Sequence, residues 1–293
     1  MCSDIYITET SRHADIIFPA ASGLEIPQYD ISFHNHAIRN TAKYAPPLFP
    51  KKGEVKHDWE ILQELTAKIT QEESNGQTPE SILEMLLQMG HYAKEGLTLQ
   101  KLKDHPHGVD LGPLKPCLMD RLQTNDDTIR LAPQVMLDDL KRLGDTNYKQ
   151  PANDEYPFKM IGRRLLRQHN TWTQNSYRLS KGRNECTAEI HPEDAKRLGV
   201  EDRSFVHVSS RVGKIKIEVD VTDDIMPGVV SIPQGFGTSK KSSMTIAADQ
   251  NSVSINDLTD EMRVDLLTGN AALNGVAVKV EVANQKELKE VVV

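Results

Sequence analysis

The chain has 293 residues, 38% of them hydrophobic and 26% charged, a length for about two domains at roughly 150 residues each and a composition that excludes a disordered or fibrous chain. Lys and Arg number 35 against 42 Asp and Glu, a net charge of -7 that argues against a dedicated nucleic-acid binder. No apolar run approaches the ~18 residues that span a bilayer, so membrane insertion is not expected, and three widely separated cysteines (Cys2, Cys117, Cys186) suit a reducing compartment such as the cytoplasm.

Residues 14–19 (Ala-Asp-Ile-Ile-Phe-Pro) form a short apolar run closed by Pro19, the pattern of a buried, parallel strand. Such a strand needs neighbours joined by crossover connections, and no βα unit stands before it, so either its partners are expected from elsewhere or something upstream is missing. Residues 23–53 read as a long loop rich in His, Asn and Pro, including His34, Asn35 and Asn40. Asp58 is expected to cap a helix whose Ile61, Leu62, Leu65 and Ile69 recur at helical spacing. After a polar linker at 71–77, Pro79 opens a second helix striped by Ile82, Leu83, Leu86 and Leu87. Residues 95–127, punctuated by Gly and Pro, read as an extended meander, and 133–143 as a further helix ended by Gly144. A Pro-bounded linker at 150–157 is the expected boundary between domains 1–150 and 151–293.

Beyond it the period changes. Residues 204–210 and 214–221 alternate apolar with polar around an Arg211-Val-Gly213 turn, the signature of a β-hairpin. Residues 228–233 and 276–282 are two more strands, and 192–198 a short helix with Pro192 first, acids in its first turn and Gly199 at its end. Many strands with few short helices predict a compact β-barrel.

The densest polar cluster, Gly162-Arg-Arg-Leu-Leu-Arg-Gln-His-Asn-Thr-Trp-Thr-Gln-Asn175, follows the strand-like residues 158–162. Arg163, His169, Asn170, Thr171, Thr173, Gln174 and Asn175 surround Trp172. Amides and hydroxyls offer donors and acceptors together, which suits the mixed edges of a flat heteroaromatic ligand, while Arg suits phosphate. A hydrogen-bonded surface loop anchored by Trp172 accounts for the same residues. Asn256 and Thr259 stand just before an expected helix start, a natural place for a polar ligand contact, and helix capping by Asp257 or Asn256 is the other reading. Pro233-Gln-Gly-Phe-Gly-Thr238 places glycine on both sides of Phe236, which lets backbone approach a ligand or simply turns the chain. Walker A, GxGxxG, HExxH and GxSxG patterns are absent. No two cysteines have CxxC spacing, and none is expected to bind metal.

Asp4-Ile-Tyr-Ile-Thr-Glu-Thr-Ser-Arg-His-Ala-Asp-Ile-Ile-Phe-Pro-Ala-Ala21 resembles the strand and loop near the end of the third domain of molybdopterin oxidoreductases, the family of DMSO reductase, formate dehydrogenase and periplasmic nitrate reductase. Glu25, Asn40 and Gly53-Glu-Val-Lys-His-Asp-Trp-Glu-Ile61 fit the segment that follows. Residues 162–175, 190–195, 227–233 and 256–259 resemble the C-terminal molybdopterin-dinucleotide-binding domain, and 267–276 is similar to its formate-dehydrogenase-like branch.

The resemblance implies an α/β segment followed by a mainly β domain, a double-psi β-barrel. It implies a molybdopterin guanine dinucleotide carrying Mo or W, lined by Gly162, Arg163, His169, Asn170, Thr171, Trp172, Thr173, Gln174, Asn175, Gln234 and Asn256, with Thr8, Glu9 and Asp58 near it from the other domain. In that family the cluster-binding cysteines and the metal-ligating residue lie upstream of every matching segment. The chain is therefore expected to be the C-terminal, cofactor-binding portion of a larger oxidoreductase, without catalytic residues or metal ligands of its own. It would work with a missing N-terminal catalytic portion or subunit and with a redox partner subunit. A stand-alone, non-catalytic pterin-dinucleotide-binding module is the other reading these residues permit.

Overall fold

The computed structural model describes residues 1–31, 33, 36–74, 76–145, 154–250 and 252–283. His34, Asn35, Asn75 and residues 150–153 of the expected linker lie outside the described residues. The chain divides into two compact units, Met1–Tyr6 with His13–Ile129, and Ile7–Arg12 with the described residues from Arg130 onward. The helix near residue 140, which the sequence groups with the first half, thus clusters with the second unit.

In the first unit, β1 (Cys2–Asp4) pairs in parallel with β2 (Ile17–Pro19), Cys2 opposite Ile17. The strand expected at 14–19 is confined to its last three residues, and its parallel partner is in the chain itself, reached by a connection shorter than a crossover helix requires. The expected loop at 23–53 contains β3 (Gln28–Tyr29), β4 (Arg39–Ala42) and β5 (Tyr44–Ala45). Helix α1 (Asp58–Thr70) follows. Its N-cap is His57 rather than Asp58, which occupies the first helical position; the Glu60 carboxylate accepts from the His57 N–H at 2.7 Å, and both acids favour the positive end of the helix. Helix α2 (Pro79–Met89) starts on Pro79 as expected, capped by the Thr78 hydroxyl, which accepts from the Ser81 N–H.

The expected meander at 95–127 instead holds α3 (Leu99–Asp104) and β6 (Val109–Pro113), which pairs antiparallel with β4. Helix α3 escapes a periodicity reading because it is only six residues long, yet its Leu99 and Leu102 join Ala42, Tyr44, Leu87 and Leu97 in the core of this unit. Among the described residues, no helix is long and apolar enough to cross a membrane.

The second unit begins, after residues 7–12, with α4 (Gln134–Asp145), which runs through Gly144 instead of ending there. Then come β7 (Phe158–Arg163), α5 (Tyr177–Ser180), β8 (Thr187–Ile190), α6 (Pro192–Leu198), β9 (Phe205–Ser209), β10 (Lys214–Val221), β11 (Val229–Pro233), α7 (Thr245–Ala248) and β12 (Val276–Val282). The six strands close into a barrel in the order β10-β8-β11-β7-β12-β9. The β9–β10 hairpin is antiparallel as its alternation predicts, Ile217 opposite Val206, while β8–β10 and β7–β11 pair in parallel.

Period-2 alternation turns Phe158, Met160, Val206, Val208, Ile217, Val219, Val230 and Val278 inward, all at most 2% exposed, into one core. Closure removes the open sheet edges that a flat six-stranded sheet would present. Helix α6 carries its expected ends, Pro192 first and Gly199 left-handed at φ 68°. Its Asp194, only 4% exposed, accepts from the Gly228 N–H at 2.6 Å and so ties the helix to the start of β11.

Candidate functional site

Strand β7 ends at Arg163, and the chain then makes a series of tight turns through Asn175. These turns are short-range: Gln168 N–H bonds to Leu165 O, Trp172 N–H to His169 O, Gln174 N–H to Thr171 O, and the Thr173 hydroxyl accepts from His169 N–H at 3.2 Å. Along this path His169, Asn170, Thr171 and Trp172 are exposed, Thr173 and Asn175 are half-buried, and Gln174 is buried. Trp172 is 79% exposed and stacks on His169, ring centroids 5.3 Å apart at 14°, so a wide aromatic face is presented to solvent.

The loop is pinned at several points. Asn175 Oδ1 accepts from the Ile246 and Ala247 N–H groups at the start of α7, and Gln250 Nε2 donates to Gln174 O at 2.9 Å. Asn170, left-handed at φ 50°, accepts from the Arg164 guanidinium.

The segment after β11 lies directly against this loop. Gln234 N–H donates to Arg163 O at 3.0 Å, and its side chain passes so close to Gly162 that a Cβ there would stand 2.5 Å from Nε2. Gly235 (φ 86°) packs on the Asn170 carbonyl, where any Cβ would overlap the oxygen, and Gly237 (φ 102°) packs on Ser254. These two positions need glycine for both reasons, conformation and close approach.

Ser254 caps a single 3-10 turn, Ile255–Leu258, that carries Asn256. Asn256 therefore sits inside a turn with Thr259 ending it, not ahead of a helix, and Ser254 is the cap that Asn256 or Asp257 was expected to supply. Residues 7–12 join the same surface: Glu9 accepts from Ser239 N–H at 2.7 Å and pairs with Arg12, while Ile7 O accepts from Ser242 Oγ and Ser243 N–H. The Ser239 hydrogen bonds hold the Glu9 carboxyl below its ordinary range, whereas partial desolvation, with the Glu9 charge behind it, pushes Asp257 up.

Of the residues singled out in the sequence, Gly162 through Asn175, Gln234, Asn256, Thr8 and Glu9 all belong to the second unit, and of those expected to line a cofactor Thr173 and Gln174 are on the wall of a polar cleft below the loop. Asp58 lies instead in the first unit, on the opening turn of α1, accepting from Ser3 Oγ at 2.7 Å.

Below the loop opens a polar cleft of about 150 Å³. Its walls include Arg167, Thr173 and Gln174 from the loop, and Arg183, Asn184 and Gln250 from segments that sequence reasoning passed over. Those three stand in short irregular stretches with no period and no motif, so only the fold could bring them here. The guanidinium groups on the cleft wall are Arg167 and Arg183, the latter paired with Asp220 at 3.1 Å, and Glu185 adds a carboxylate to the same wall. Arg163 lines no part of it. Cys186, next to this wall, is buried, and its thiol is pushed up to about 11 by loss of hydration, which leaves it an inert packing group. Among the described residues, no group of three or more His, Cys, Asp or Glu is arranged to hold a metal.

Comparison with known proteins places these features among relatives. Residues 158–277 match the molydopterin dinucleotide binding domain, and residues 1–68 match molybdopterin oxidoreductase. The F420-dependent formate dehydrogenase 1 subunit alpha of Methanococcus maripaludis is 31% identical over 257 residues, covering 83% of this chain and 35% of that protein. The F420-dependent formate dehydrogenase subunit alpha of Methanocaldococcus jannaschii is 31% identical over 258 residues, with 84% and 35% covered. The chain thus spans about a third of the length of these relatives. Acetylene hydratase from Pelobacter acetylenicus shares the fold, with a TM-score of 0.69 at 17% identity over 96% of this chain and 40% of that one.

Proposed function

Because the chain belongs to the molybdopterin oxidoreductase family, we propose that its second unit grips the dinucleotide end of a molybdopterin guanine dinucleotide, as the C-terminal, cofactor-binding portion of a formate-dehydrogenase-like enzyme. The observation that carries this reading is the convergence of loop 164–175, the glycine-bearing segment 234–239 and the wall at 183–184 on one polar cleft at the rim of a closed barrel.

The residues fit such a ligand. Gln174, Asn184 and Gln250 offer neutral donors and acceptors for heterocycle edges, while Arg167 and Arg183 offer guanidinium forks for a pyrophosphate. Gly235 and Gly237 let the 234–239 segment pack closely on Asn170 and Ser254, which puts Phe236 between them on the cleft wall. The cleft matches one heterocyclic end rather than a whole dinucleotide, which agrees with a cradle that this chain only partly builds. The mixed barrel, with two parallel pairings among its six strands, supports the double-psi assignment.

When bound, the cofactor supplies the two-electron chemistry at its metal, Mo or W. The work of this chain is to bind and orient. Trp172 offers a flat face, the amides set which edge of the heterocycle is read, and the two arginines neutralise the pyrophosphate. Glu9 takes no part in charge balance at the ligand; it is engaged by Ser239 and Arg12 and shapes the 234–239 segment. The rest of the cradle, the metal ligand and the electron relay would be contributed by polypeptide outside these residues, as a continuous chain or a separate subunit, together with a redox partner. Coverage of about a third of the relatives' length supports that division. Three unbridged cysteines support a cytoplasmic setting.

The test uses the protein purified from its native source with whatever subunits accompany it. Gln174→Ala and Arg167→Ala, both on the loop wall of the cleft, should each weaken pterin retention about tenfold, roughly what one charge-assisted or well-placed hydrogen bond contributes. Pterin and metal analysis after dialysis reads the result, with thermal unfolding run in parallel. Full occupancy in both variants would reduce the loop to a structural feature, and wild-type protein that never carries pterin would sink the reading altogether.

A further inference from the structure

Arg163 opens the candidate ligand loop, yet its guanidinium turns away from the cleft. Nη1 lies 2.7 Å from Glu189 Oε2 on β8 and donates to Ser231 on β11, to Oγ at 3.2 Å and O at 3.3 Å. Nη2 donates to Thr187 on β8, to O at 3.0 Å and Oγ1 at 3.3 Å. The Arg163 and Glu189 side chains are only 16% and 25% exposed, and Thr187 and Ser231 are buried. One planar fork therefore spans β7, β11 and β8, three adjacent staves of the barrel, at the place where β7 gives way to the loop.

We propose that the Arg163–Glu189 pair is the positioning element of the ligand loop: it locks the root of residues 164–175 to the barrel and contacts no cofactor itself. The proposal rests on the reading of that loop as a cofactor grip. Two features argue for a fixed root. The Arg163 carbonyl, on the same residue, receives the Gln234 N–H, so a shift of Arg163 displaces Gln234 against Gly162 as well. And a guanidinium cannot give up its charge inside a protein, so Glu189 is the counter-charge that makes its partial burial tolerable. A lysine in this place keeps the charge but cannot reach Glu189, Ser231 and Thr187 at once, since it has one nitrogen where arginine has a rigid fork.

Two measurements on the full chain test this, with Arg163→Lys, Arg163→Ala, Glu189→Ala and the double Arg163→Ala/Glu189→Ala variant. Without any cofactor, hydrogen exchange of the amides at 164–175 should quicken about tenfold or more in Arg163→Ala, while β9 and β10 keep their protection. Arg163→Lys should recover part of that protection, and the double variant should be no worse than the worse single one, because the two residues act as a unit. In protein carrying cofactor, pterin retention should fall in the same rank order. A destabilised control changed at a core residue of β9, Val208→Ala, on a strand that borders none of β7, β8 and β11, should lose global stability without selective exchange at 164–175. Unchanged loop exchange in Arg163→Ala, or a loss equal to that of the control, overturns the positioning role even if the cofactor reading stands. Selective loop opening with no change in pterin retention leaves a structural brace and likewise overturns the proposal. Should Arg163→Ala fail to fold, Arg163→Lys against wild type decides the matter on the same two readouts.

Discussion

At the scale of single residues, the site depends on positions where nothing but hydrogen fits. Gly235 holds φ 86° and packs on the Asn170 carbonyl, so a methyl group meets both a disfavoured backbone region and a backbone oxygen that no rotamer can move aside. Gly235→Ala is expected to cost about 2–4 kcal/mol, summing backbone strain with the displacement of the loop. Urea unfolding measures it, and a value within the noise of a surface change would mean the loop and the 234–239 segment part easily. The sequence shows Gly235 and Gly237 plainly but not their reason, since a turn after a strand and a close approach look the same until the partner, Asn170 or Ser254, is known. Arg163 carries the opposite lesson. Residue type marks it as a phosphate ligand, and only its contacts with Glu189, Thr187 and Ser231 show the charge already matched.

At the scale of elements, alternation was the dependable signal. Strands β9, β10 and β12 follow their period-2 patterns because each apolar residue faces the same closed interior, and the helices α2 and α6 start and end on the prolines and glycines that announce them. Elements shorter than two turns that have no proline or glycine to mark their ends were illegible. Helices α3, α5 and α7 and the strands of the 23–53 region are too brief to show a period, and tertiary contacts alone hold them. The barrel strands make a direct prediction. Ile217 on β10, 2% exposed, fills the shared core, so Ile217→Ala should destabilise the chain by about 2–5 kcal/mol, from lost burial plus the cavity left behind. Denaturant titration checks it; a cost under about 1 kcal/mol would mean that the barrel collapses around the gap.

At the scale of the whole molecule, acid is the condition to which this chain is exposed. The Arg211 guanidinium, bonded to Asp260, holds that carboxyl down to about 2 from an ordinary 3.8. Asp110, bonded to Arg39, and Asp139, bonded to Arg142, are lowered in the same sense. A carboxyl whose folded pKa lies below its unfolded value stabilises the fold fully at pH above the unfolded value, and that contribution is lost as pH falls toward the folded one. Asp257 acts in the opposite direction, since its raised pKa makes its charge unfavourable near neutrality. Stability should therefore decline as pH drops from about 4 toward 2, and Arg211→Gln should differ from wild type near neutrality yet converge with it at the acid end. Chemical unfolding at a series of pH values decides this; a difference that persists unchanged down to about pH 2 would contradict it.

Periodicity in the sequence was enough to announce a strand-rich second half, because one-sided burial imposes alternation whatever the topology. The ordered motifs were enough to point to the family, because each records a local backbone requirement. Neither could say that the strands close in the order β10-β8-β11-β7-β12-β9, since alternation marks which face is inward and carries no record of which strand lies beside which. Nor could they bring Arg183, Asn184 and Gln250 to the cleft or turn Arg163 away from it. Those outcomes are set by distances between segments far apart in the chain, and such distances exist only once the barrel has closed.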